Sequence, residues 1–147
     1  RTPMPRSLFS QKPVASEAKR EKDCWTKLKI QSKKRNWLTT RIENWAGQGF
    51  PDVVLCDPAG SFHLVELKNL NSGNKVNLSP HQVSFLTRHR HASVWLAVFR
   101  RRELFLYKGS SAVEVVESGL KAEPHAKLTI PADWNIFFNL LSHTNSE

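Results

Sequence analysis

Cysteine is scarce: Cys24 and Cys56 are too few for a disulfide framework and form no CxxC pair that would cradle zinc. Both stand among apolar neighbours, as reduced core thiols of an intracellular protein do. Long hydrophobic runs are missing too. No stretch approaches the roughly 18 apolar residues of a membrane span, so no membrane partner is expected. The start, Arg1-Thr2-Pro3-Met4-Pro5-Arg6, lacks the apolar stretch of a secretory signal. Acidic residues are few, 13 against 22 Lys and Arg, which leaves a net charge of +9 over 147 residues. The imbalance is local. Residues 1–35 hold 11 basic and 3 acidic residues, whereas residues 103–147 hold 3 and 6. A basic segment of this kind attracts polyphosphates through counterion release, and a solvated tail that keeps the protein soluble is the plainer use of the same charge.

A chain of this length suits one domain with a real hydrophobic core. Residues 1–15, with three prolines, read as a flexible basic lead-in, and residues 16–147 as a single domain with a C-terminal extension from about 110. Ser16 to Arg35 has helical spacing, with Ser16 as a cap and Cys24, Trp25 and Leu28 on a buried stripe. Glu21 falls on the same side, where a carboxylate is costly unless paired. Trp37–Glu43 and Asp52–Cys56 read as strands around a Gly47–Pro51 bend. The turn Asp57–Gly60 then makes a hairpin with the strand Phe62–Lys68. Asn69–Asn77 reads as a polar loop. Ser79-Pro80-His81-Gln82 opens a helix to about His89, with Ser79 as N-cap and Gln82 at the third position of a capping box. Ser93–Phe99 and Glu103–Lys108 read as strands joined by Arg100–Arg102. Ala112–Ser118 fits either a strand or a short helix stopped by Gly119, and Trp134–Leu141 fits a docked helix. The order is that of a mixed α/β domain around one sheet.

The chemistry concentrates in Phe62-His63-Leu64-Val65-Glu66-Leu67-Lys68. Side chains alternate along a strand, so Glu66 and Lys68 share a face about 7 Å apart. An acid and an amine at the end of an apolar strand are expensive in a core. Asp52 opens the neighbouring strand, near enough for its carboxylate to converge on that of Glu66. Two carboxylates at close range need a counter-charge, which a divalent cation supplies. Mg²⁺ suits one or two carboxylates with further oxygens, such as a backbone carbonyl beside Glu66. It lowers the pKa of a water for attack on a phosphodiester, which Lys68 orients or assists electrostatically.

Pro51-Asp52, followed after thirteen residues by Glu66-Leu67-Lys68, resembles the PD-(D/E)XK nuclease signature. The likeness extends toward archaeal Holliday-junction resolvases and virus-type replication-repair nucleases. Glu21, Cys24, Trp25 and Leu28 reproduce their helical Glu and its apolar followers, and Val76-Asn77-Leu78-Ser79-Pro80-His81-Gln82 is similar to their segment after the ExK strand. It covers about residues 17–108. It implies a restriction-endonuclease-like mixed sheet flanked by helices, in α-β-β-β-α-β-β order. It also implies a metal held by Asp52, Glu66 and the Leu67 carbonyl, a catalytic Lys68 and a supporting Glu21, with Glu17 as the competing helical acid. Gln82 would sit near the metal, with Ser79 close by. The implied activity is a Mg²⁺-dependent DNA endonuclease, Mn²⁺ being the substitute ion, and a homodimer follows from a resolvase reading.

The same residues have plainer readings. Gln82 and Ser79 form a capping box without any active site. Arg101 sits in what is most simply a solvated turn, phosphate gripping being its functional use. Arg41 either pairs with Glu43 or touches DNA backbone, and Lys33, Lys34 and Arg35 are the backbone contacts expected from the first helix. A binding module that no longer cuts is the rival from another class. A site-specific endonuclease reading bases with residues 110–147, and a structure-selective resolvase, are rivals within nucleases. So compact an enzyme suits a phage or mobile element, acting in the cytoplasm of a prokaryotic or phage-infected host.

Overall fold

The computed structural model describes residues 15–42 and 48–143, with the backbone alone for 15–21. In chain order the elements are α1 (Ala15–Lys34), β1 (Leu38–Arg41), β2 (Val53–Cys56), β3 (Phe62–Leu70), α2 (Pro80–Arg88), β4 (Val94–Arg100), β5 (Glu103–Lys108), α3 (Ala112–Ser118), β6 (Ala126–Thr129) and α4 (Trp134–His143). The six strands form one sheet in the order β1-β2-β3-β4-β5-β6. Only β3 and β4 run parallel. A parallel pair cannot be closed by a tight turn, and α2 lies in the crossover between them. The mixed, helix-flanked α/β sheet expected from the sequence is present. Among the described residues no helix is long and apolar enough to cross a membrane.

Alternation of side chains gives the sheet two apolar faces. Val53, Leu55, Val65, Leu67, Ala97, Phe99 and Leu106 pack with Cys24 and Leu28 of α1 and Trp134, Phe137, Phe138 and Leu141 of α4. On the other face Leu70, Leu96, Val98, Phe105 and Tyr107 pack with Leu86 of α2 and Ala112 and Val115 of α3. The C-terminal segment, expected as an extension, therefore completes both cores. Leu28 alone, fully buried, stabilises by about 2–3 kcal/mol.

Boundaries moved where pairing overrode local composition. Asn69 and Leu70, read as loop, belong to β3 because Phe99 and Arg100 of its parallel neighbour supply their ladder partners. The edge strand β6 went unread, since only Leu128 of its four residues is buried and its register comes from β5. Ser16 lies inside α1 rather than ahead of it. The open choice for Ala112–Ser118 resolves to a helix ended by Gly119 at φ 61°. The lead-in through Val14, Glu43 and Trp45 lie outside the described residues.

A buried polar chain ties the β2–β3 turn to β4. His63, fully buried, sits 2.8 Å from Asp57 Oδ2 through Nε2 and 2.6 Å from Ser93 Oγ through Nδ1. Trp95 Nε1–H donates to the same hydroxyl at 2.8 Å. The N–H groups of Ala59 and Ser61 donate to Asp57 Oδ1. Burial pushes the Asp57 carboxyl up, but His63 and these N–H groups outweigh it and hold it below the usual carboxylate range. The order Asp–His–Ser is that of a hydrolase triad. Its closure inside the core makes it a staple for the hairpin.

Candidate active site

The site is built from the end of β3 outward. Glu66 and Lys68 project from the same face of this strand, and Glu66 is 4% exposed. Register places the second carboxylate. Val53 lies opposite Val65 and Val54 opposite Leu64, so the next step sets Asp52, one residue ahead of β2, directly across from Glu66. Cross-strand partners share a face with Cβ atoms about 4.5–5.5 Å apart. The two carboxylates therefore meet at the edge of the apolar sheet.

Each is held by specific partners. The Leu67 N–H donates to Asp52 Oδ1 at 2.9 Å. Gln82 Nε2 donates to Glu66 Oε2 at 3.0 Å, and Lys68 Nζ stands 3.9 Å from the same oxygen. Gln82 also closes the capping box: its Oε1 accepts from the Ser79 N–H at 2.9 Å, while its own N–H donates to Ser79 Oγ at 3.1 Å. The structural and the functional reading of Gln82 are thus one arrangement. The amide that caps α2 fixes the helix against the carboxylate.

The bend before Asp52 is packed onto the same helix. Gly49, at φ 81°, lies so close to the His81 carbonyl that any Cβ there would overlap it, and Phe50 stacks edge-on to Phe85 at 5.1 Å. Only glycine combines that dihedral with that approach. Burial pushes the Asp52 carboxyl up to about 6, against the Leu67 N–H and the charges of Lys68 and Arg41, which pull it down. A half-buried carboxyl disfavoured in its charged form beside a second carboxylate is an environment that a cation stabilises.

The other expected residues fall into two groups. Ser79 and Arg101 lie toward this end of the sheet: Ser79 caps α2, and Arg101, at φ 57°, is exposed at the β4–β5 tip. Arg41 leaves β1 on the opposite face, its guanidinium 5.9 Å from the Trp25 ring, yet its charge reaches Asp52. Lys33, Lys34 and Arg35 are not brought to the carboxylates. Lys33 and Lys34 end α1, Arg35 follows it, and Trp37, just beyond, packs 5.5 Å from His63 near the start of β3. That is about 10 Å of strand before Glu66, on the other face. Arg35 donates to Asn135 Oδ1 at 2.9 Å and to Gln31, and lies 5.0 Å over Phe138, so it clamps α1 to α4. The side chains of Glu21 and Glu17 lie outside the described residues. Cys24, one turn after Glu21, sits 3.6 Å from Asn69 Oδ1, so that part of α1 passes the end of β3. Asn69 went unread as a site residue: among the described residues its buried Nδ2 has no hydrogen-bond partner.

Among the described residues no group of three or more His, Cys, Asp or Glu side chains is clustered to hold a metal ion. The donor set is smaller and all oxygen: the Asp52 and Glu66 carboxylates and nearby main chain.

No protein-family model and no curated protein matches the chain. Among solved structures it is similar to Hjc, a Holliday junction resolvase from the archaeal hyperthermophile Archaeoglobus fulgidus, at 20% identity and a TM-score of 0.46, covering 65% of this chain and 74% of that one.

Proposed function

We propose that this protein is a divalent-metal-dependent nuclease that hydrolyses DNA phosphodiester bonds at the Asp52–Glu66–Lys68 site. The observation that carries the reading is the pairing of Asp52 with Glu66 across the β2–β3 register, with Lys68 on the same face. An all-oxygen donor set of this kind fits Mg²⁺, or Mn²⁺ in its place, better than zinc. When bound, the ion supplies the positive charge that lets a water lose its proton near neutrality and offsets charge on the phosphate.

The chain's own groups have distinct tasks. Asp52 and Glu66 hold the ion. The N–H and C=O of one strand residue leave the strand on the same side, so the Leu67 carbonyl faces the side from which its N–H reaches Asp52. It is the third ligand. Gln82 orients Glu66 through its amide, and Lys68 brings an ammonium to the attacking water or to the phosphoryl oxygens. Glu21 supports the site from α1. Ser79 and Arg101 contact the DNA backbone near the cut, Arg41 contacts it from the α1 side, and Lys33 and Lys34 engage a more distant part. This is the endonuclease expected from the resemblance to PD-(D/E)XK nucleases. A homodimer that presents two such sites to a junction is its resolvase form.

The test is nicking of supercoiled plasmid in Mg²⁺ and in EDTA. Wild-type protein nicks only with the ion, and Asp52→Ala and Glu66→Ala both lose nicking with their circular dichroism unchanged. Full activity in either variant overturns the assignment. DNA binding by wild-type protein without any nicking in Mg²⁺ or Mn²⁺ points instead to a binding module on this fold.

A further inference from the structure

The face of the sheet that carries Glu66 and Lys68 does not end with them. Register joins Leu38 to Cys56 and Cys56 to Phe62 in one cross-strand row, and Thr40 to Val54 and Leu64 in the next. The Asp52–Glu66 row follows. All these side chains share one face, with successive rows about 7 Å apart along the strands. Leu38 is 73% and Phe62 67% exposed. Among the described residues no helix covers this part of the sheet. The core beneath α2 and α3 contains no residue of β1 or β2, and α1 packs on the opposite face. Among the described residues a largely apolar platform therefore runs from the exposed Phe62 and Leu38 past Thr40, Val54 and Leu64, the last packed against the α2 core, to the carboxylates, and adjoining exposed apolar groups of this kind mark a binding surface.

We infer that this platform holds unpaired nucleotides of the substrate, with a base stacked on Phe62 against Leu38 and the strand leading to the Asp52–Glu66 site. The inference rests on the proposed nuclease reading and narrows its substrate class to nucleic acid that is single-stranded beside the cut. A duplex presents phosphates and groove edges and offers no free base face to a ring standing out of a sheet. An unpaired base does, and stacking on exposed sheet aromatics is how open sheets take single strands. Charge agrees. Lys68 stands at one end of the platform. At the other, continuing the β3–β4 register sets Ala92 beside Phe62, so the exposed Arg88–His91 turn meets the sheet there. Among the described residues the carboxylate of the β2–β3 turn, Asp57, is buried against His63. A second copy of the chain fits less well. Two exposed large apolar side chains fall far short of the roughly 800 Å² per partner of a stable interface, and a net charge of +9 repels its like.

The decisive measurement is fluorescence anisotropy in EDTA, which reads binding whether or not the protein cuts. Labelled oligothymidylate and a blunt duplex are titrated with wild-type, Phe62→Ala and Phe62→Trp protein. Phe62→Ala weakens oligothymidylate binding between about fivefold and a hundredfold, the range of one lost base–aromatic stack, with duplex binding unchanged. Phe62→Trp restores it. Oligothymidylate also slows alkylation of Cys56, which lies in the platform's outer row, in wild-type but not in Phe62→Ala protein. Equal affinity of all three proteins for oligothymidylate, or an equal loss for both probes, overturns the inference. So does a dimer in sedimentation that Phe62→Ala splits with oligothymidylate affinity intact, which gives the face to a second copy. Loss of plasmid nicking with oligothymidylate binding as expected would instead remove the nuclease reading and leave the platform.

Discussion

Replacing Asp52 with asparagine should make the metal-free protein more stable while it disables the site. Burial raises the Asp52 carboxyl from 3.8 to about 6, so near pH 7 the folded protein carries a charge that the fold disfavours. The sign follows from linkage. A folded-state pKa above the unfolded one contributes stability that is fully present below 3.8 and is lost as pH rises through about 6. A rise of about two units corresponds to about 3 kcal/mol, and partial exposure of the carboxyl reduces this to about 1–2 kcal/mol. Asparagine keeps the acceptor for the Leu67 N–H but carries no charge to desolvate. Urea unfolding in EDTA should therefore show Asp52→Asn more stable than wild type by about 1–2 kcal/mol at pH 7.5, with the gap closing toward pH 4. Adding Mg²⁺ reverses the order. An ion at a hundredfold excess over its Kd stabilises wild type by about 2.7 kcal/mol, and the variant gains little. If Asp52→Asn is the less stable protein at pH 7.5 in EDTA, or gains as much from Mg²⁺ as wild type, the reasoning about this carboxyl is wrong.

Gly49→Ala should cost at least about 2 kcal/mol in urea unfolding, since it adds left-handed strain to overlap with the His81 carbonyl, and the Mg²⁺-dependent gain in stability should shrink as the bend carrying Asp52 shifts. His63→Leu should cost about 3 kcal/mol at pH 7, because it leaves Asp57 and Ser93 without their buried partner. The Asp57 contribution is present above its unfolded pKa and is lost as pH falls through its depressed folded value, so below about pH 4 wild type should lose more stability than the variant, which keeps only the Ala59 and Ser61 N–H groups on Asp57. Tyr107 donates to the Ala122 carbonyl at 2.9 Å, and burial pushes its pKa from 10.0 to about 12. Its contribution is complete below pH 10 and lost as pH rises through about 12, so Tyr107→Phe should cost about 1 kcal/mol at neutral pH and flatten the alkaline fall in thermal stability.

The sequence disclosed those parts of the fold in which local chemistry and tertiary structure agree. Ser79-Pro80-His81-Gln82 specifies a helix start by capping alone, and the structure shows that capping box. Glu103–Lys108 reads as a strand from composition and is one. Disagreement arose where a partner strand decides. Asn69 reads as loop on its own, yet Phe99 holds it in the ladder. Ala126–Thr129 has no strand signal beyond Leu128 until β5 provides an edge. Helix α4 was legible as apolar, but its insertion beneath the sheet with Trp37 and Leu28 depends on contacts about a hundred residues apart in sequence.

For the site, spacing within one strand and across one short hairpin was enough, and placement over longer separations was not. Glu66 and Lys68 lie two apart, so their shared face follows from the pleat. Asp52 was within reach because a short hairpin admits few registers, and its proximity to Glu66 was expected. The lysines of α1 share a charge with the site but not a place, because net charge over a window says nothing about which layer a helix occupies. The same limit hid the platform. Leu38 and Phe62 meet only through Cys56, so their adjacency depends on two pairings, of β1 with β2 and of β2 with β3. A slip of one residue in the β1–β2 pairing would turn Leu38 to the α1 side, and one in the β2–β3 pairing would part Cys56 from the face of Phe62. The proposed platform is therefore written in register, a property that no single segment of the chain carries.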